Sequence, residues 1–128
     1  MFSKVEVEVR GHDRAVLNSY SVFVKTVANE LGLKLTTSAP DRFIERWSIL
    51  KSRFSNRKHM RQYEMRTHFL KFNFQKLTGS TCSTLLEYIE RNLPAGVAMH
   101  VHQTRLSLLP FEIEVKKKKE ASQATTPS

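Results

Sequence analysis

Hydrophobic and polar positions change period several times along the chain. In "KVEVEVR" (4–10) they alternate strictly, with Val5, Val7 and Val9 on one face, which predicts a half-buried strand. Gly11 and His12 turn the chain, and Asp13 can cap a helix over about 14–31. Its apolar residues recur every three or four positions. Val16, Tyr20, Val24, Val27 and Leu31 form the expected buried stripe, with Leu17, Phe23 and Ala28 at its edges. Gly32 suits the left-handed position that closes a helix.

A short strand is expected at "LKLTT" (33–37). Pro40 interrupts it, and "RFIERWSILK" (42–51) continues it with Phe43, Trp47 and Ile49 at even spacing. Residues 52–62 are polar and basic and read as a hairpin tip. "YEMRTHFLKFNFQKL" (63–77) returns as a long strand whose apolar phase changes midway. Tyr63 and Met65 share one parity, while Leu70, Phe72 and Phe74 share the other. A one-residue slip turns side chains to the opposite face, which predicts a bulge near Thr67–Phe69. Ser80 or Thr81 can cap a second helix (81–93) with Cys82, Leu85, Leu86, Ile89 and Leu93 inward. "PAG" ends that helix. "VAMHVHQTRL" (97–106) alternates again, with Val97, Met99 and Val101 inward. From Ser107 the pattern is lost, and "KKKKEASQATTPS" has the composition of a solvated tail.

The order strand, helix, strand, strand, helix, strand predicts an α+β, ferredoxin-like βαββαβ fold. An antiparallel sheet would carry both helices on one face. The expected organisation is a globule over 4–106 with a long hairpin at about 42–75, and a flexible basic tail at 107–128. A hairpin that outgrows its sheet exposes backbone and side chains, and such exposure implies a partner.

Charge sharpens this picture. The 128 residues carry a formal +9, and residues 41–76 alone carry +7. A field so localised favours a polyanion. Arginine and lysine on an extended ribbon can reach successive phosphates of an RNA, arginine with a planar two-pronged donor. The candidate RNA contacts are Lys51, Arg53, Arg57, Lys58, His59, Arg61, Arg66 and His68. Arg42 and Arg46, nearer the sheet, either contact RNA or pair with Glu45. Phe54, Met60 and Tyr63 are candidate protein contacts that could also stack on bases.

Little else carries chemistry. The single cysteine, Cys82, excludes an internal disulfide and every zinc site built on two or more thiols, and it falls on a buried stripe. His100 and His102 share a face, but no third ligand is nearby. Asp13 beside His12 has a capping job. The 4 glycines are isolated and form no phosphate-cradling loop. No nucleophile–base–orienter set is visible, so neither an enzyme nor a cofactor is expected. No apolar run reaches the ~20 residues of a membrane span, and no membrane partner is expected. The outward acids of "KVEVEVR" make the sheet a poor base-stacking platform, unlike an RNA-recognition motif.

Several stretches together resemble one family. "RQYEMRTH" (61–68), "IERWSILKS" (44–52), "AGVAMHV" (95–101) and "VRGHD" after the first strand are similar to the universal tenth protein of the small ribosomal subunit. "YEMRT", "TGST" and "LEYIERNLPAGVAM" look most like its mitochondrial branch. The resemblance covers roughly residues 4–106. It implies a structural, non-enzymatic protein of the subunit head, whose hairpin enters ribosomal RNA and touches neighbouring proteins. No small-molecule substrate and no homo-oligomer would be involved. Arg46 and Trp47 match the family's ER-aromatic motif, and Gln62, Tyr63, Glu64, Arg66, Thr67 and His68 match its returning strand. Met1 to Lys4 is too short for a transit peptide, so mitochondrial placement follows from the resemblance. Two other readings compete. One is a non-ribosomal protein-interaction module anchored by the hairpin aromatics. The other is a small ferredoxin-like acyl-phosphate hydrolase, which would need an anion loop where "GHDRAV" offers one glycine and an acid.

Overall fold

A computed structural model describes residues 1–53 and 57–107. The elements run β1 (Phe2–Gly11), α1 (Arg14–Glu30), β2 (Leu35–Ser38), β3 (Phe43–Leu50), a 3-10 turn (Arg57–His59), β4 (Met60–Leu77), α2 (Gly79–Arg91) and β5 (Val97–Arg105). The sheet order is β2-β4-β1-β5, with β3 paired to β4 and every pairing antiparallel. Counting β2 and β3 as one interrupted strand gives the ferredoxin-like order expected from the sequence.

Both helices cover one face of the sheet. Val5, Val7 and Val9 of β1, with Phe72 and Phe74 of β4, meet Leu17, Tyr20, Val24 and Ala28 of α1 and Cys82, Leu85 and Ile89 of α2. All of these are buried, and each large apolar side chain contributes about 1.5–3 kcal/mol on transfer from water. The expected α1 stripe is rotated. Leu17 and Ala28 are inside, whereas Val16 and Val27 are half-buried and Leu31 is exposed. A helix whose apolar arc spans two adjacent ridges leaves the choice of ridge to the sheet beneath it.

The caps follow local chemistry. Asp13 Oδ1 accepts from the Ala15 N–H at 2.9 Å. At the other end Leu33 N–H reaches Ala28 O (2.9 Å) and Gly32 N–H reaches Asn29 O (3.1 Å), with Gly32 at φ +64°. These are the two reversed bonds of a Schellman ending. The cap of α2 is Thr78, not Ser80 or Thr81, so this helix begins two residues early at Gly79. The Thr78 side chain accepts from the Thr81 N–H, so the cap lies in the same turn, two residues before Ser80.

The expected bulge near Thr67–Phe69 is absent. Neither ladder of β4 shifts register there, from Met60 to Thr67 against β3 or from His68 to Gln75 against β1. The irregularity lies at the other end. Lys76 takes φ +56°, and the pairing of β1 with β5 shifts between Phe2 and Lys4. That break is why Leu77 is buried although its parity opposes that of Phe72 and Phe74. The phase change between Tyr63 and Leu70 has a simpler cause: the strand stays regular, and the apolar residues of its outer half serve a different face.

Candidate nucleic-acid interface

The inner half of β4 is held between β1 and β2, whereas its outer half pairs with β3. From Phe43/Thr67 to Leu50/Met60 the two strands form a ribbon of eight paired positions, roughly 25 Å long at ~3.3 Å per residue. The Lys51 N–H donates to His59 O at 2.9 Å and closes its far end. At the near end His12 Nδ1 lies 3.0 Å from Arg66 O and ties the ribbon to the loop after β1. Sequence reasoning gave His12 only a place in the turn after the first strand. His12 and Arg66 are 54 positions apart in the chain, which hides that contact.

Cations crowd the tip. Lys51, Arg53, Arg57, Lys58, His59 and Arg61 are all exposed. Arg66 is exposed lower on the arm, and Arg42 is exposed at its base beside the half-buried His68. The structure therefore spreads the sequence-derived candidates along the whole arm and clusters only the distal six. Phe54 lies outside the described residues, as does most of the expected tail.

The two faces of the ribbon differ. Opposite residues share a face, so one face holds Glu45, Thr67 and Arg61 together with the apolar Phe43, Trp47 and Ile49 of β3 and Met65 and Tyr63 of β4. Their exposures are 56%, 44%, 57%, 45% and 53%, and they form one apolar stripe on the arm. Of the two candidate protein contacts among the described residues, Tyr63 belongs to it and Met60 sits on the reverse face opposite Leu50. Even spacing of Phe43, Trp47 and Ile49 was legible in the sequence, but it signalled an outer surface and not a core.

On the reverse face Arg46 lies opposite Glu64 and binds it at 3.3 Å, while Arg66 pairs with the same carboxylate. The Arg66 hydrogen bond, followed by the nearby charges of Arg66, Arg46 and Arg42, holds the Glu64 carboxyl below the usual carboxylate range. Arg46 thus pairs with Glu64 and not with Glu45, which points to the opposite face of the same strand. One acid shared by two guanidinium groups leaves that patch net positive.

The open face of the sheet is salt-bridged. Glu8 binds both Arg10 (3.2 Å) and Lys71 (3.2 Å), and Lys4 pairs with Glu6. His100 and His102 are exposed there, opposite Glu8 and Glu6. Among the described residues no group of three or more histidine, cysteine or acidic side chains is placed to hold a metal. Among the described residues exposed cations gather on the ribbon, whereas Lys4, Arg10 and Lys71 of the open sheet face are paired with acids.

Sequence comparison agrees with this architecture. The family model described as ribosomal protein S10p/S20e matches residues 6–102, a span that contains nearly all of the described sheet, both helices and the arm. The chain belongs to this family. Within it the chain is similar to proteins named small ribosomal subunit protein uS10m. It is 45% identical to that of Danio rerio over 115 residues, 89% of this chain and 62% of that protein. It is 50% identical to that of Drosophila melanogaster, over 86% of this chain and 65% of that protein. With that of Rattus norvegicus the identity is 45%, over 89% and 74%. The chain thus spans somewhat under two thirds of the length of the first two relatives. The matched span takes in the whole arm, from Phe43 to Thr67, as well as nearly all of the globule.

Proposed function

We propose that this chain is a non-enzymatic structural component of the small subunit of the mitochondrial ribosome. The family and the names of its relatives support the assignment. The observation that carries it is the ribbon itself, a two-stranded arm with Lys51, Arg53, Arg57, Lys58, His59 and Arg61 exposed around its tip. In this reading the tip neutralises phosphates of small-subunit ribosomal RNA and lets RNA segments approach one another. Arg66, Arg46, Arg42 and His68 extend the contact toward the globule. The apolar stripe of Phe43, Trp47, Ile49, Tyr63 and Met65 is the seat for neighbouring proteins of the subunit head. It is exposed and interspersed with the charged Glu45 and Arg61, a mixture that suits an interaction surface. The globule supplies a stiff base, so the arm loses less entropy on docking.

Binding to small-subunit RNA fragments should weaken steeply with salt. The logarithm of affinity should fall by about 0.7–0.9 per phosphate contacted for each tenfold rise in salt. Arg57→Ala and Arg61→Ala should each reduce that slope by about one unit, whereas Trp47→Ser should leave it unchanged. A slope indifferent to both arginine variants would overturn the assignment of the tip.

A further inference from the structure

Where the arm leaves the globule there is a cleft of about 300 Å³, built from three separate parts of the chain. Arg14 and Asn18 come from the first turns of α1, Asp41 and Arg42 from the link between β2 and β3, and His68 from β4 at its last pairing with β1. Leu17 gives it an apolar wall. The volume is at the lower end of small-ligand sites, suited to one nucleotide and too small for a stacked run.

Its charge is unbalanced. Arg14 and Arg42 have no ion-pair partner among the described residues. Asp13, the acid next to Arg14, accepts the capping bond from Ala15 N–H. Among the described residues Asp41 is the one acid lining the cleft, against two guanidinium groups and an imidazole, and Glu64 lies near enough for the Arg42 charge to act on it. Two guanidinium groups that line one cleft from different elements suit a phosphate, which can accept from both. The first turn of α1 adds its partial positive charge.

We propose that this cleft holds a single phosphate-bearing nucleotide of the ribosomal RNA strand, with Arg14 and Arg42 on the phosphate. The inference rests on the reading of the arm as an RNA-binding element, and it deepens that reading. It adds Arg14, which lies outside the basic segment, and it gives the cleft a mechanical role. Residues 39–42 join β2 to β3 outside the ladders, so no ladder bond sets the angle of the arm on that side. A phosphate bridging Arg14 of the globule to Arg42 of the arm would fix that angle as the RNA binds.

The test uses the full chain with four probes: a 12-nucleotide single-stranded RNA, adenosine monophosphate, inorganic phosphate and an acidic hexapeptide. NMR follows the arginine Nε–Hε signals. The RNA and the mononucleotide should shift Arg14 and Arg42 together, with inorganic phosphate acting at higher concentration. Arg14→Gln should weaken RNA binding by roughly tenfold and lower the salt slope by about one unit, and Arg14→Lys should restore the slope but not the full affinity. Circular dichroism of each variant checks that the helix is intact. If Arg14→Gln binds RNA normally while Arg61→Ala does not, the cleft proposal is wrong and the arm reading survives. If neither change matters, the arm reading falls and takes the cleft with it. A cleft that responds to the acidic peptide and not to RNA is a protein-docking site, and the proposal is overturned.

Discussion

Tyr20 shows how one hydroxyl can join two helices. Its ring lies in the core between Phe23 and Phe72, and its hydroxyl donates to Ile89 O at 2.9 Å. Ile89 belongs to the last turns of α2, where the Leu93 N–H turns to Glu90 O, so the tyrosine serves a carbonyl near a helix end. Burial pushes its phenol up to about 12. A phenol titrates near 10 in an unfolded chain, so the folded state holds its proton more tightly. The stability this confers is complete below about pH 10 and is lost as pH rises toward 12, on the order of 2 kcal/mol in all. Tyr20→Phe should cost about 1 kcal/mol at pH 7, because Ile89 O loses its partner. The variant should nevertheless lose less stability than the parent between pH 10 and 12. Urea midpoints at pH 7, 10 and 11.5 would check this, and parallel decline in both proteins would exclude Tyr20 as the titrating group. The sequence placed Tyr20 on the helix stripe but could not show the bond, since its acceptor is a backbone atom 69 residues away.

Elements were more legible than their faces. Strict alternation in "KVEVEVR" and the spacing of Cys82, Leu85 and Ile89 identify a strand and a helix whose inward sides the structure reproduces. Periodicity states which residues lie together, but not what covers them. Phe43, Trp47 and Ile49 look like core by that rule and form the surface stripe of an arm. The phase change in β4 was visible too, but its explanation was misplaced: the strand is regular at Thr67–Phe69 and breaks at Lys76. No sequence rule would choose a lysine for a left-handed position, which costs an L-residue about 1–2 kcal/mol. Lys76→Gly removes that cost and adds backbone entropy, so it should hold or slightly raise the urea midpoint. Lys76→Val should lower stability by about 1–2 kcal/mol, since a β-branched side chain tolerates positive φ least. Equal midpoints for lysine and valine would mean that this strand end relaxes in solution.

At the scale of the molecule, globule and arm are held by different forces. The globule has a closed core between sheet and helices. The arm has one two-stranded ladder, an ion-paired face and an apolar face open to water. An isolated two-stranded ribbon is marginal at best, so the arm should melt before the globule that carries it. The chain contains a reporter for this, because its single tryptophan, Trp47, stands on the apolar stripe. In urea, Trp47 emission should change early and by a small amount, since the indole is already 44% exposed in the folded protein. Far-UV circular dichroism, dominated by α1 and α2, should follow later in one cooperative step. Non-coincident transitions of this kind are the standard departure from two-state unfolding. When a protein partner seats on the stripe, Trp47 should become buried, its emission should move to the blue, and the two transitions should draw together. Coincident transitions in the free protein, with a large red shift of Trp47, would mean that the stripe is already covered by the chain itself. The seat proposed for neighbouring proteins would then be lost, while the basic tip would be judged by its salt dependence alone.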